Sequence, residues 1–175
     1  MDFNFDLRRI VTGHDANGRS VVSIDGPPGE EGGSLREIWQ TEGPVVDSRD
    51  LADLAKGKVI LSPSEGGSKF RWFIIPPQDP TISNEDLEKM VAERFAAMGA
   101  AHERPDTSRH PTMHKTETID YIILLSGNIT LLLDEEDRDL KPFDVVVQRG
   151  TNHAWVNKGT VPALLCAILI DAEVR

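Results

Sequence analysis

The side chains able to do chemistry in this sequence gather in two stretches. Residues 110–127 carry His110, His114, Asp120 and Tyr121 and close on Gly127, and residues 150–157 carry Gly150, His153, Trp155 and Asn157. Imidazole and carboxylate together suit a divalent first-row metal, and two histidines with one carboxylate can hold it while leaving positions open for substrate. His110, whose ordinary pKa lies near neutrality, is a candidate general base. Tyr121 is a candidate proton donor, although strict strand alternation points it away from the side of Asp120. Arg71 and Arg149 are candidate partners for a substrate carboxylate, because a guanidinium grips one bidentately; the alternative is surface pairing. Trp155 and Trp72 either line an apolar pocket or belong to the core.

Short strands must position these groups. Residues 1–80 read as strands between Gly and Pro turns: Arg19–Ile24, Leu35–Gln40, Lys58–Leu61 and Lys69–Ile75, with a Gly-rich loop at Gly29–Ser34 and a short helical turn within 44–57. One helix is expected over 83–99. Ser83 is its N-cap, Glu85 and Asp86 sit where the helix dipole favours acids, and Gly99 ends it. Leu87, Met90, Val91, Phe95 and Met98 recur at helical spacing and make its apolar face. Beyond it the pattern is β: Ile119–Leu125, Ile129–Leu133, an acidic loop Asp134–Asp139, Val145–Gln148, Ala154–Val156 and Pro162–Ile170. Strands separated by tight turns, without alternating helices, predict an all-β antiparallel sandwich or barrel in one domain.

The chain has 29 acidic and 19 basic side chains, a formal charge of −10. Such a surface repels phosphate backbones and anionic membranes, so no nucleic-acid or membrane partner is expected. No run approaches the ~20 apolar residues of a membrane span. The single cysteine, Cys166, cannot form an internal disulfide and lies in an apolar run, as a small hydrophobe would. With no basic, apolar leader at residues 1–6, a cytoplasmic location is expected.

The two stretches resemble the two-part signature of the cupin superfamily. Aligned on Gly127, the acidic position of the first motif falls on Asp120 and its histidine positions on His114 and Thr116. In the second motif Gly150, His153 and Asn157 keep the spacing. Four departures stand out: Thr116 replaces a histidine, Asp120 replaces a glutamate, Gln148 and Pro142 replace a proline and a glycine, and His110 is an additional imidazole. The resemblance covers about residues 108–170. It implies a cupin-type β-barrel with extra N-terminal strands and one helix, and a metal held by His114, Asp120 and His153. A straight strand over 114–120 would hold the first two ~20 Å apart at ~3.3 Å per residue, so a bend is expected at Thr116–Thr118.

The ligand types admit Fe, Mn, Ni or Zn. The run Thr-x-Thr-Ile-Asp-Tyr with Val-Val-Gln-Arg-Gly-Thr-x-His-Ala-Trp resembles small cupin proteins, some of which occur beside polyketide and aromatic-acid metabolism. That implies a small-molecule substrate. The expected activity is a metal-dependent lyase, a decarboxylase or dehydratase, acting on a small organic acid or polyketide-like molecule. A non-haem Fe(II) dioxygenase and a non-catalytic ligand-binding barrel are the alternatives. A homodimer is expected through Arg19–Ile24 or Leu35–Gln40, since small barrels leave edge strands to cover.

Overall fold

Residues 5–29 and 33–175 are described by the computed structural model, and among them one helix accompanies ten strands. In chain order the strands are β1 (Arg9–His14), β2 (Ser20–Gly26), β3 (Leu35–Thr41), β4 (Ser68–Ile75), β5 (Thr118–Ser126), β6 (Ile129–Leu132), β7 (Asp137–Leu140), β8 (Val145–Arg149), β9 (Ala154–Val156) and β10 (Ala163–Asp171). The helix, α1 (Asn84–Ala97), lies between β4 and β5. All pairings are antiparallel: a β1–β2 hairpin, a five-stranded sheet β3-β4-β10-β5-β8 and a three-stranded sheet β7-β6-β9.

The two larger sheets close on one core. Ile122, Leu124, Leu165, Ala167 and Leu169 from the first meet Ile129, Leu131 and Trp155 from the second. Their alternation along β5 and β10 is what buries one face of each strand. This is the expected all-β barrel. Helix α1 closes one side of it: Val91, Phe95 and Met98 pack with Leu35, Leu61 and Ala100. Its start follows from Ser83, whose hydroxyl accepts from the N–H of Asp86 at 3.1 Å. Such a cap contributes about 1 kcal/mol.

Register sorts the barrel interior into a dry end and a polar end. Across the five-stranded sheet one inner row reads Leu35, Phe73, Leu165, Leu124, the next Glu37, Arg71, Ala167, Ile122, Val146, and a third Gln40, Lys69, Leu169, Asp120, Gln148. Directly opposed residues share a face, so the charged members of the last two rows stand side by side inside the barrel.

Several sequence expectations need correction. Lys58–Leu61 is not a strand, and residues 44–57 form turns without a helix. The acidic stretch expected as a loop contains β7, an edge strand whose Asp137, Arg138 and Asp139 are exposed. Charged residues are how an edge strand avoids pairing with other chains, and they hide its strand character. Met90 is 55% exposed and lies off the buried helix face. Strand β1 was not anticipated. The loop expected at Gly29–Ser34 lies partly outside the described residues.

The outer face of the five-stranded sheet is also apolar. Trp39, Phe70, Ile168, Tyr121 and Val147 form one row, and Arg36, Trp72, Cys166, Ile123 and Val145 the next. A sheet face meeting only water would be polar. The half-exposed Cys166 belongs to this face.

Candidate active site

Two glycines and an asparagine set the backbone around the histidines. Gly127 has φ +81°, and a Cβ there would stand 2.8 Å from Ala163 Cα; Gly150 has φ +59°, and a Cβ would press on Val174 and on the carbonyl of Thr116. Both the left-handed conformation and the close approach require glycine. Asn157 is buried, and its Nδ2 donates to the carbonyls of Ile75 and Val161 at 2.9 and 2.8 Å while Oδ1 accepts from Gly159 N–H at 2.9 Å. Of the residues that carried the resemblance, Gly127 shapes the turn between β5 and β6, and Gly150 and Asn157 shape the turns leading into and out of β9.

His114 and His153 stand side by side. Each backbone N–H donates to the other's carbonyl at 2.9 Å, and the ring centroids lie 4.3 Å apart. His114 Nδ1 lies 3.0 Å from the carbonyl of Thr112, and His153 Nδ1 lies 2.9 Å from that of Thr151. A carbonyl only accepts, so each Nδ1 carries the proton and each Nε2 keeps a bare lone pair. Burial holds both imidazoles neutral; for His153, burial and then the charge of His114 push the pKa down to about 3. Phe95 meets His114 edge-on at 5.1 Å and Trp155 meets His153 at 5.8 Å, so the pair is wedged between aromatic rings. Trp155, a candidate substrate contact, is thus the wall beside His153.

Asp120 lies on the inner face of β5, only 4% exposed, and its Oδ1 has no hydrogen-bond partner. Burial pushes its pKa up to about 6, against the pull of the Thr118 hydroxyl and the Arg71 guanidinium. The expected bend is present at Glu117. Thr116 fills the position where a histidine was expected, and its hydroxyl is 2.7 Å from that of Thr118.

As a three-donor centre these residues do not fit: among the described residues no three His, Cys, Asp or Glu side chains stand close enough to hold one ion. As a two-nitrogen anchor His114 and His153 do fit, because both Nε2 atoms are unprotonated.

The remaining candidates fall elsewhere. Tyr121 is 41% exposed on the outer face of β5, opposite in sense to Asp120, so it is not a proton donor to the interior. Arg149 is exposed on β8, the outer edge of the sheet. Arg71 is 2% exposed and spent on Glu37 at 2.6 Å, with further N–H groups donated to the carbonyls of Leu61 and Ile60. Arg71 is therefore committed within the protein, and Arg149 does not face the interior. His110 is half-buried, 3.2 Å from Gln78 Nε2 and 2.8 Å from the Thr112 hydroxyl.

One interior residue was missed. Glu103, in the 3-10 turn Ala101–Glu103, is 8% exposed with Oε2 unpartnered, and burial raises its pKa. It lies in a short turn with no periodic pattern, so nothing in the sequence distinguishes it from a surface acid.

Comparison with known proteins adds the following. The cupin domain family matches residues 102–170. A phomopsin biosynthesis cluster protein D of Diaporthe leptostromiformis is 60% identical over 155 residues, covering 86% of this chain and 70% of that protein. Its cluster protein C' is 31% identical over the same shares. A cupin-domain-containing oxidoreductase of Neurospora crassa is 42% identical over 65 residues, 35% of this chain and 33% of that protein.

Proposed function

The chain belongs to the cupin family, and from that premise we propose that it is an enzyme of small-molecule biosynthesis performing lyase-type proton transfer inside its barrel. The observation that carries the reading is Asp120: a carboxyl sealed in the interior, one oxygen unpartnered, its pKa about 6. A group poised near the working pH both takes and returns a proton, which a dehydration or decarboxylation needs at the carbon or oxygen that changes. Asp120 moves the proton. His114 and His153, neutral with bare Nε2 atoms, accept hydrogen bonds from substrate or anchor an ion. Trp155 and Phe95 exclude water beside the imidazoles. An iron, manganese, nickel or zinc ion held by the two histidines would supply Lewis acidity or a redox centre. The related cluster proteins support small-molecule biosynthesis.

A second reading, an oxidoreductase, is favoured by the imidazole pair and by the name of the Neurospora relative. Disrupting the gene and comparing metabolites separates the two. The lyase reading expects an accumulating compound that exceeds the missing product by one water or one carbon dioxide, and that the purified chain converts. A difference of two hydrogens, or of oxygen atoms, would overturn it in favour of the oxidoreductase.

The apolar outer face supports a second copy of this chain as its cover. Its two rows contain no Asp or Glu although the chain has 29 acids, so like faces meet without opposing carboxylates. The open edge of β8 can pair with its own copy about a two-fold axis. Trp39, within the Leu35–Gln40 segment first expected at the interface, belongs to this face. Light scattering should then give twice the 19.4 kDa chain mass, and Val147→Lys should halve it. A wild-type monomer at high concentration would remove the assembly.

A further inference from the structure

Glu103 has no part in the proton transfer proposed above, yet its carboxyl is built into the same interior. Its Oε1 accepts from the Ser62 hydroxyl, Ser62 follows Leu61, and the Leu61 carbonyl takes an N–H of Arg71 at 3.0 Å. Its backbone carbonyl accepts from Lys115 N–H at 2.7 Å, which fixes it beside Thr116, the position where a histidine was expected. Asp120 reaches the same region from the neighbouring inner row of the sheet, close enough for the charge of Glu103 to act on its carboxyl. Two oxygens there lack partners, Asp120 Oδ1 and Glu103 Oε2, in residues 4% and 8% exposed. Native proteins leave few buried polar atoms unsatisfied, because each costs about 1–3 kcal/mol.

We infer that Glu103 and Asp120 form a two-acceptor subsite for a neutral ligand that presents two hydroxyl groups on a flat carbon frame. The charge of the surroundings selects the ligand class. A carboxylate ligand would face two carboxyl oxygens with Arg71 already committed to Glu37. An ammonium ligand would face Arg71 and Lys69, both on inner rows. Hydroxyl donors satisfy both orphan oxygens without bringing charge. Phe73, Phe95 and Trp155 supply ring surfaces on the interior side, against which a flat frame packs. Both oxygens are closed from solvent, so entry requires the segment 104–113 to move. Its ties are few polar bonds to neighbouring elements: Arg104 to Glu88 and to the Pro111 carbonyl, Arg109 to the Leu133 carbonyl and to Asp137, Asn152 to the Asp106 carbonyl, and His110 to Gln78.

This subsite names the substrate class of the proposed lyase and so rests on that reading, but binding alone tests it. Resorcinol and its dimethyl ether, 1,3-dimethoxybenzene, are titrated calorimetrically into the full chain after chelation. Wild type should bind resorcinol about tenfold or more tightly than the ether, the penalty for leaving designed hydrogen-bond groups unpaired. Glu103→Met should remove that preference while leaving the ether's affinity unchanged. Glu103→Gln, isosteric and able to keep the Ser62 bond, guards against misfolding and should also lose the preference. Equal affinity for diol and ether, absence of resorcinol binding, or full preference in Glu103→Gln would each overturn the inference. Preference without lyase turnover would sink the catalytic reading and leave the subsite; turnover without preference would do the reverse.

Discussion

Replacing Asp120 by asparagine is expected to lower turnover by about 10²–10⁴-fold, the usual contribution of a positioned acid or base, and to stabilise the metal-free protein at alkaline pH. The second effect follows from linkage. An aspartate in an unfolded chain titrates near 3.9, whereas burial raises this one to about 6. Between those values the folded protein binds the proton and the unfolded chain does not. The stability from this group is therefore fully present below about pH 4 and is lost as pH rises through 6. At 1.36 kcal/mol per pKa unit the loss is about 3 kcal/mol. Asparagine carries no charge and keeps an oxygen for Thr118, so Asp120→Asn should be flat across that window and more stable than wild type at pH 8. Urea unfolding of chelated protein at pH 5 and 8 measures it. Turnover within threefold of wild type would remove Asp120 from the proton path, and identical pH curves would refute the burial argument.

His153 should impose the opposite slope. An unfolded histidine titrates near 6.5, and burial with the neighbouring His114 holds His153 at about 3. Here the unfolded chain binds the proton first, so the stability is present above about 6.5 and is lost as pH falls towards 3. The full loss is about 4–5 kcal/mol, a large part of the roughly 5–15 kcal/mol that holds a domain together. His153→Asn removes the titration and retains an amide N–H where Nδ1–H meets the Thr151 carbonyl. It should flatten the acid limb between pH 6.5 and 4 while losing both metal retention and activity. Unfolding free energies at pH 7, 5.5 and 4 test this. Parallel loss of stability in variant and wild type would show that some other group drives acid unfolding.

Local pattern was enough for much of this chain. The alternation Thr118, Asp120, Ile122, Leu124 faces inward on β5 and leaves Tyr121 outside, because successive strand residues point to opposite faces whatever the sheet they join. Ser83 capped the helix, Gly127 and Gly150 marked the backbone positions only glycine can take, and the spacing of His114 and His153 placed them in matching motifs. Each of these depends on a residue and its near neighbours.

Pairing between distant segments decided the rest. Arg71 reads as a free cation until strand register sets it beside Glu37, 34 positions away, and buries both; that removed it from substrate binding. Asp120 reads as a carboxylate of ordinary acidity until its inner row buries it beside Gln148 and within reach of the charge of Arg71. Glu103 becomes an interior carboxyl only because Lys115 and Ser62 hold its turn against the barrel. The apolar outer face emerged the same way, since Trp39, Cys166, Tyr121 and Val147 share a surface only once five strands align them. Desolvation and charge proximity depend on three-dimensional distance, and that distance is set by tertiary pairing rather than by order along the chain.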